Sequence, residues 1–229
     1  METTNKTYRL EDCFDEDVFD VAQKLEKSFD LTLPVDAFIQ VHTLGDLCAV
    51  FERHITARQC NDCTSQQAFY RVRRAIAATL SVDEKEITPD DQLAHFFPKA
   101  NLRRKVNTFQ AHLGIKVPLL TYPNWLLAVF LLLFLIFFVS LFFGGRAATV
   151  GGLLFFAGID LAKTHGRKLI PQTIRQLTEQ LVSEHYTMIR TRKGTVNRKE
   201  VRRIIVNTFA RDLDIDKTWL TMDAKFFWA

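Results

Sequence analysis

From about Glu16 to Phe29, the apolar residues Val18, Val21, Leu25 and Phe29 recur at helical spacing with acids between them, a pattern that predicts an amphipathic helix. Pro34 interrupts the loop that follows, and Thr43 is placed to cap a short helix turning Leu44, Leu47, Val50 and Phe51 inward. After a polar stretch, Thr64 and Gln67 have the spacing of a capping box ahead of Phe69, Val72, Ile76 and Leu80. Leu102, Val106, Phe109 and Leu113 form a further stripe. Ile170, Ile174, Leu177, Leu181, Met188 and Ile189 continue the helical period, with Pro171 suited to a first turn. Asn197 and Glu200 match another capping box, which Val196 and Val201 could staple. No run alternates with period two, so the expected fold class is all-α.

One segment departs from amphipathicity. Trp125 to Phe143 reads WLLAVFLLLFLIFFVSLFF, close to the roughly 20 apolar residues a helix needs to cross a bilayer core. A second apolar stretch, Ala147 to Ala162, follows Gly144, Gly145 and Arg146, and Asp160 within it belongs near a membrane face. Together they predict a transmembrane hairpin over 124–163. Its mouth carries Arg103, Arg104, Lys105 and Lys116 on one side and Lys163, Arg167 and Lys168 on the other, whereas the turn offers only Arg146. The positive-inside bias then makes this a multi-pass protein of the inner (cytoplasmic) membrane with both termini cytoplasmic. The competing arrangement, one span plus a re-entrant segment, puts the C-terminus outside.

Charge adds an asymmetry. The 229-residue chain has a formal charge of +4, too mild to argue for nucleic acid, but its first fifty residues are rich in acids and the part after Lys163 is rich in bases. The two ends are electrostatic complements. Cys60 and Cys63 have a zinc-knuckle gap without a second pair, and are read as free thiols in a reducing compartment. The six histidines form no HExxH pair, and no glycine-rich phosphate loop follows a strand. The expectation is no catalytic residue, no metal and no cofactor.

Leu25-Glu-Lys-Ser-Phe-Asp-Leu-Thr-Leu-Pro34, followed nine positions later by Thr43-Leu-Gly-Asp-Leu47, resembles the second and third helices of acyl carrier proteins. The serine that bears phosphopantetheine in that family falls nineteen residues before the proline, where this chain has Asp15. Val82 to Leu93 is similar to the loop after the family's first helix, and Leu113-Gly-Ile-Lys-Val-Pro118 to the end of its second. Counting back from Pro118, the serine position holds Lys99. At the C-terminus, Val201-Arg-Arg-Ile-Ile205 parallels Val72-Arg-Arg-Ala-Ile76, and Trp219 to Phe226 parallels Glu86 to Leu93.

The resemblance implies a degenerate carrier-like bundle assembled from both ends of the chain. Residues 1–55 would supply the second and third helices and 195–229 the first. Between them would lie a linker (56–64), a second carrier-like helix pair (65–120), the hairpin and a stalk helix (164–194). The function implied is a non-catalytic, membrane-anchored scaffold presenting a carrier-like surface to enzymes of lipid or polyketide-type synthesis. A true tethered carrier bearing phosphopantetheine is the principal alternative, and a subunit of a membrane enzyme or transporter is another. Arg71 and Arg74, with Arg73, and Arg103, Arg104 and Lys105 form the candidate partner-binding patch, for membrane lipid headgroups or for an acyl carrier protein or acyl-processing enzyme.

Overall fold

A computed structural model describes residues 9–98, 101–121, 124–140, 152, 156 and 168–229. Those residues are predominantly helical: α1 (Asp15–Phe29), α2 (Leu44–His54), α3 (Thr64–Leu80), α4 (Leu93–Phe96), α5 (Leu102–Leu113), α6 (Asn124–Ser140), α7 (Ile174–Glu184), α8 (Tyr186–Ile189) and α9 (Arg198–Asp212). The strands are two-residue ladders, β1 (Arg58–Gln59) parallel to β4 (Thr195–Val196), and β2 (Leu120–Thr121) antiparallel to β3 (Lys168–Leu169). The chain divides into two compact units, one made of the residues up to Asp91 with those from Thr173, the other of Gln92–Gln172.

In the first unit, α1 packs on α7, α8 and α9, α9 also packs on α2 and α7, and α3 lies along α7 and α8. The core contains Leu25, Leu44, Phe51, Val72, Ile76, Leu177, Leu181, Ile205 and Phe209, all essentially solvent-free. Each such side chain contributes about 1.5–3 kcal/mol by leaving water. The division differs from the expected spans in two places. Helix α3 packs in this unit, and α7, expected either to lift the domain from the membrane as a stalk or to pack on the middle helix pair, lies along α3 of that pair with Ile174, Leu177 and Leu181 buried. The helical period had identified the apolar face of α7 without revealing what covers it.

Head and tail meet through backbone as well as side chains. Gly45 N donates to Met222 O at 2.8 Å, Leu44 N to Ala224 O at 2.9 Å and Phe226 N to His42 O at 3.1 Å. Trp228 Nε1 donates to Val41 O at 2.8 Å, and Phe226 and Trp228 stack at 4.7 Å between centroids. Among the described residues four ion pairs join the two chain segments of this unit: Arg202 to Glu52 at 2.7 Å, Arg175 to Asp90 at 2.8 Å, Lys24 to Asp212 at 2.9 Å and Arg192 to Asp62 at 3.6 Å. The charge asymmetry along the sequence is thus partly used within this unit.

The backbone also shows an internal repeat with a constant offset of 133 residues. Asp83 and Asp216 each cap a short 3-10 turn, and Ser81 and Asp214 both adopt left-handed backbone, φ 57° and 54°. The starts of α3 and α9, Thr64 and Arg198, fall within one residue of that offset, so the parallel expected between Val72–Ile76 and Val201–Ile205 is four residues out of register, one helical turn. The arginine pair at both sites had suggested the wrong alignment, whereas the loops fix the right one.

The repeat extends to helix caps. Thr43 starts α2 with a reciprocal Thr43–Asp46 capping box, and Thr173 starts α7 with a Thr173–Gln176 box at nearly the same φ/ψ, −126°/161° and −118°/161°. Where Leu44 and Gly45 hydrogen-bond Ala224 and Met222, Ile174 and Arg175 bond Asp91 and Pro89 at 3.1 and 2.7 Å. Helix α7 therefore stands to α3 and its loop as α2 stands to α9 and its loop. The two other capping boxes expected from sequence do not form. Gln67 Oε1 accepts from Thr191 N at 2.9 Å, and Glu200 accepts from Thr64 N at 3.1 and 3.2 Å, so each side chain serves a neighbouring segment in place of its own helix start.

In the second unit, α5 buries Leu102, Val106, Phe109 and Leu113 and ends at Gly114, whose φ of 69° closes the helix. Ile115, Val117 and Leu119 then point inward while Lys116 points out. Helix α6 is apolar around its whole circumference, and Val129 to Val139 includes many exposed side chains, Leu131 and Leu132 at 57% among them. Among the described residues no helix is long and apolar enough to cross a membrane; α6 is 17 residues. The end of the apolar run, Asp160 and most of the second apolar stretch lie outside the described residues. Gly152 is helical and a Cβ placed on it would stand 3.6 Å from Phe137 Cε2.

Candidate functional site

Asp15 is the first residue of α1 and exposed, in an acidic first turn with Glu16 and Asp17. Phe14 just before it is 78% exposed and Ile39, in the loop between α1 and α2, is 74% exposed. Phe19 follows on α1, packed edge-on against Phe38 at 5.9 Å and stacked on Trp228 at 5.8 Å. The surface at the head of α1 is therefore carboxylates interleaved with aromatic and aliphatic side chains, supported from below by the chain's own last residues. Lys99, at the corresponding position of the other copy, lies outside the described residues.

The two buried hydroxyls of this unit that sequence alone would offer as alternative attachment points are occupied. Ser28 Oγ accepts from Tyr186 N at 3.0 Å, and Ser183 Oγ donates to Glu179 O and Gln180 O at 3.0 Å while Arg211 Nη1 donates to it. Each is 3% exposed or less, so a transferase has no path to either.

The basic candidates fall into two groups. Arg71 and Arg74 lie on α3 in the first unit; Arg71 Nη1 donates to Met188 O at 3.0 Å, and Arg74 Nε to Tyr70 O at 3.4 Å. Arg73, between them, sits over the Phe69 ring at 5.8 Å. Arg103, Arg104 and Lys105 lie on α5 in the second unit, the first two exposed and Lys105 half-buried.

Arg190 gave no signal in the sequence. It is 1% exposed, and its guanidinium donates to Thr195 Oγ1 at 3.0 Å, Asp62 O at 3.0 Å and Thr64 Oγ1 at 2.9 Å. Its Nη2 has no protein partner. The node ties the start of α3 to the chain ahead of α9, where Tyr186 Oη accepts from Asn197 N at 2.8 Å. Such a buried charge specifies geometry more than it adds stability. Cys60, beside Arg192 at 3.6 Å, and the exposed Cys63 are free thiols, and among the described residues no group of three or more His, Cys, Asp or Glu is placed to hold a metal.

No family model, no characterised protein and no solved structure matches this chain.

Proposed function

We propose that this chain is a membrane-held scaffold, without catalysis of its own, that presents a carrier-like surface to enzymes of acyl-chain chemistry. The observation that carries the reading is Asp15, a fixed carboxylate at the exposed head of α1, where the resembled family has its modified serine. A carboxylate cannot accept a phosphodiester-linked arm, yet the surrounding acidic and apolar surface is retained. Phe14, next to it in the chain, and Ile39, next to the Phe38 that packs on Phe19 of α1, are both left exposed, as a docking surface requires.

In this reading, residues 124–163 form a membrane hairpin. The support is physical. Helix α6 is apolar on every face, and most of its side chains from Val129 to Val139 are exposed, an arrangement that is costly in water and neutral in lipid. The β2–β3 ladder pairs Thr121 with Lys168, so the chain enters and leaves the apolar segment at one place, as a hairpin requires and a single crossing does not. The first unit, built from both ends of the chain, supports that reading, since a hairpin returns the chain to the side it left.

The test has two parts. Intact-mass analysis after co-expression with a phosphopantetheinyl transferase of broad specificity is expected to show the unmodified chain; an adduct on any serine identifies a true carrier and overturns the reading. A photo-crosslinker at Ile39 is expected to capture acyl-transferring or acyl-condensing enzymes in native membranes, with capture lost when Asp15, Glu16 and Asp17 are replaced by their amides. Equal capture by that variant removes the proposed surface.

A further inference from the structure

Charge divides between the units far more sharply than between the ends of the chain. Gln92–Gln172 contains nine Lys and Arg and a single acid, Asp160, whereas the remainder of the chain holds more acids than bases. From Gln92 to Thr121 there is no Asp or Glu at all, against five Lys and Arg. Several bases of the first unit pair with acids: Arg175 with Asp90, Arg202 with Glu52, Arg211 with Glu184 and Asp212. Among the described residues, Arg103, Arg104, Lys105 and Lys116 have no carboxylate partner.

Location gives these cations a function. Helix α5 carries Arg103 and Arg104 on its exposed side and leads through Lys116 and β2 directly into α6. Thr121, the last residue of β2, is three positions before α6 begins, no more than about 10 Å of chain, and it pairs with Lys168. Unpaired cations gathered on the segments that flank an apolar helix are what an anionic membrane surface attracts, each favouring the bound state about fivefold, or about 1 kcal/mol.

We infer that α5 and the chain joining it to α6 form a docking surface for the phosphate headgroups of anionic phospholipids, with Arg103, Arg104, Lys105 and Lys116 as the contacting groups. The inference rests on the membrane reading of α6. It makes the second unit more than an anchor: the headgroups hold α5 at the bilayer surface.

Hydrogen exchange of the full-length protein, reconstituted in nanodiscs of phosphatidylcholine or of phosphatidylcholine with phosphatidylglycerol, tests this. Amides of Leu102–Leu113 are expected to exchange at least fivefold more slowly in the anionic discs, and the difference is expected to vanish in the Arg103→Gln/Arg104→Gln/Lys105→Gln variant and to survive in Arg103→Lys/Arg104→Lys. Equal exchange of the wild-type protein in the two lipids overturns the inference without reference to any variant. So does equal slowing in phosphatidylcholine discs by millimolar glycerol phosphate, which would identify a soluble phosphate as the ligand. Release of the protein from native membranes by alkaline carbonate, a separate measurement, would instead overturn the membrane reading itself.

Discussion

Gly45 occupies the first turn of α2, and replacing it with alanine sets two effects of opposite sign against each other. Alanine is the better helix former by up to about 1 kcal/mol in a helix interior, and by less in a first turn. In this fold, however, a Cβ on Gly45 would lie 2.8 Å from the Met222 carbonyl oxygen, with Met222 Cβ at 3.4 Å. The same carbonyl accepts the Gly45 amide at 2.8 Å, so the C-terminal loop cannot retreat without lengthening that bond. Overpacking of this kind costs about 1–3 kcal/mol. The clash outweighs the propensity gain, and Gly45→Ala should lower stability by about 1–2 kcal/mol, or roughly 2–8 °C in Tm for a chain of this size. Thermal unfolding of the full-length protein in mild detergent, followed by near-ultraviolet circular dichroism, reads the change. Helical backbone at this position is no obstacle, because Arg175 takes the equivalent place at the start of α7. Arg175 carries a Cβ there and still donates to Pro89 O at 2.7 Å, so a rise in Tm would mean that residues 221–226 re-seat around a Cβ in the same way and that the contact carries no overpacking cost.

Other consequences are independent of that site. Phe226→Ala empties a buried position between Phe209 and Trp228 and should cost about 3–4 kcal/mol in chemical unfolding, although Phe226 is three residues from the end of the chain. Arg190→Met leaves Thr195 Oγ1, Asp62 O and Thr64 Oγ1 without their buried donor and should destabilise by about 1–3 kcal/mol, with Arg190→Lys recovering little because an ammonium cannot span three acceptors. The hydrogen bonds from Arg202 hold the Glu52 carboxyl below its usual range; its contribution is present above the unfolded value of about 4.3 and is lost as pH falls through the folded one. Glu52→Gln should therefore flatten the acid limb of the stability profile below about pH 4.3, by no more than about 1 kcal/mol because the pair is solvent-screened. Burial pushes the Cys48 thiol up to about 12, so maleimide at pH 7.5 should label exposed Cys63 at once and Cys48 only on unfolding.

The elements written into local pattern were legible in the sequence. Thr43 caps α2 as its place in the sequence predicts, and the stripe from Val18 to Phe29 is the buried face of α1. What local pattern cannot carry is the identity of a partner. Gln67 and Glu200 have capping-box spacing, yet segments distant in sequence take both side chains. The third helix of the second copy was missed for a related reason. Nine positions separate Pro34 from Thr43, but fifty-five separate Pro118 from Thr173, and the apolar insert hides the correspondence. Thr173 with Gln176 repeats the function of Thr43 with Asp46 without repeating the residues. Of the candidate surface, Asp15 could be located from the motif spacing alone, whereas the exposure of Phe14 and Ile39 and the burial of Arg190 depend on tertiary packing.

The central claim is that both ends of the polypeptide build one unit on one face of a membrane. Lys24 and Asp212, joined at 2.9 Å, offer the most direct measurement. With the native cysteines replaced and cysteine placed at both positions by Lys24→Cys and Asp212→Cys, a short, membrane-impermeant bis-maleimide should close an intramolecular bridge in inside-out vesicles and give none in sealed right-side-out ones. Labelling of the two cysteines from opposite sides of the bilayer, with no bridge in either preparation, would contradict the account.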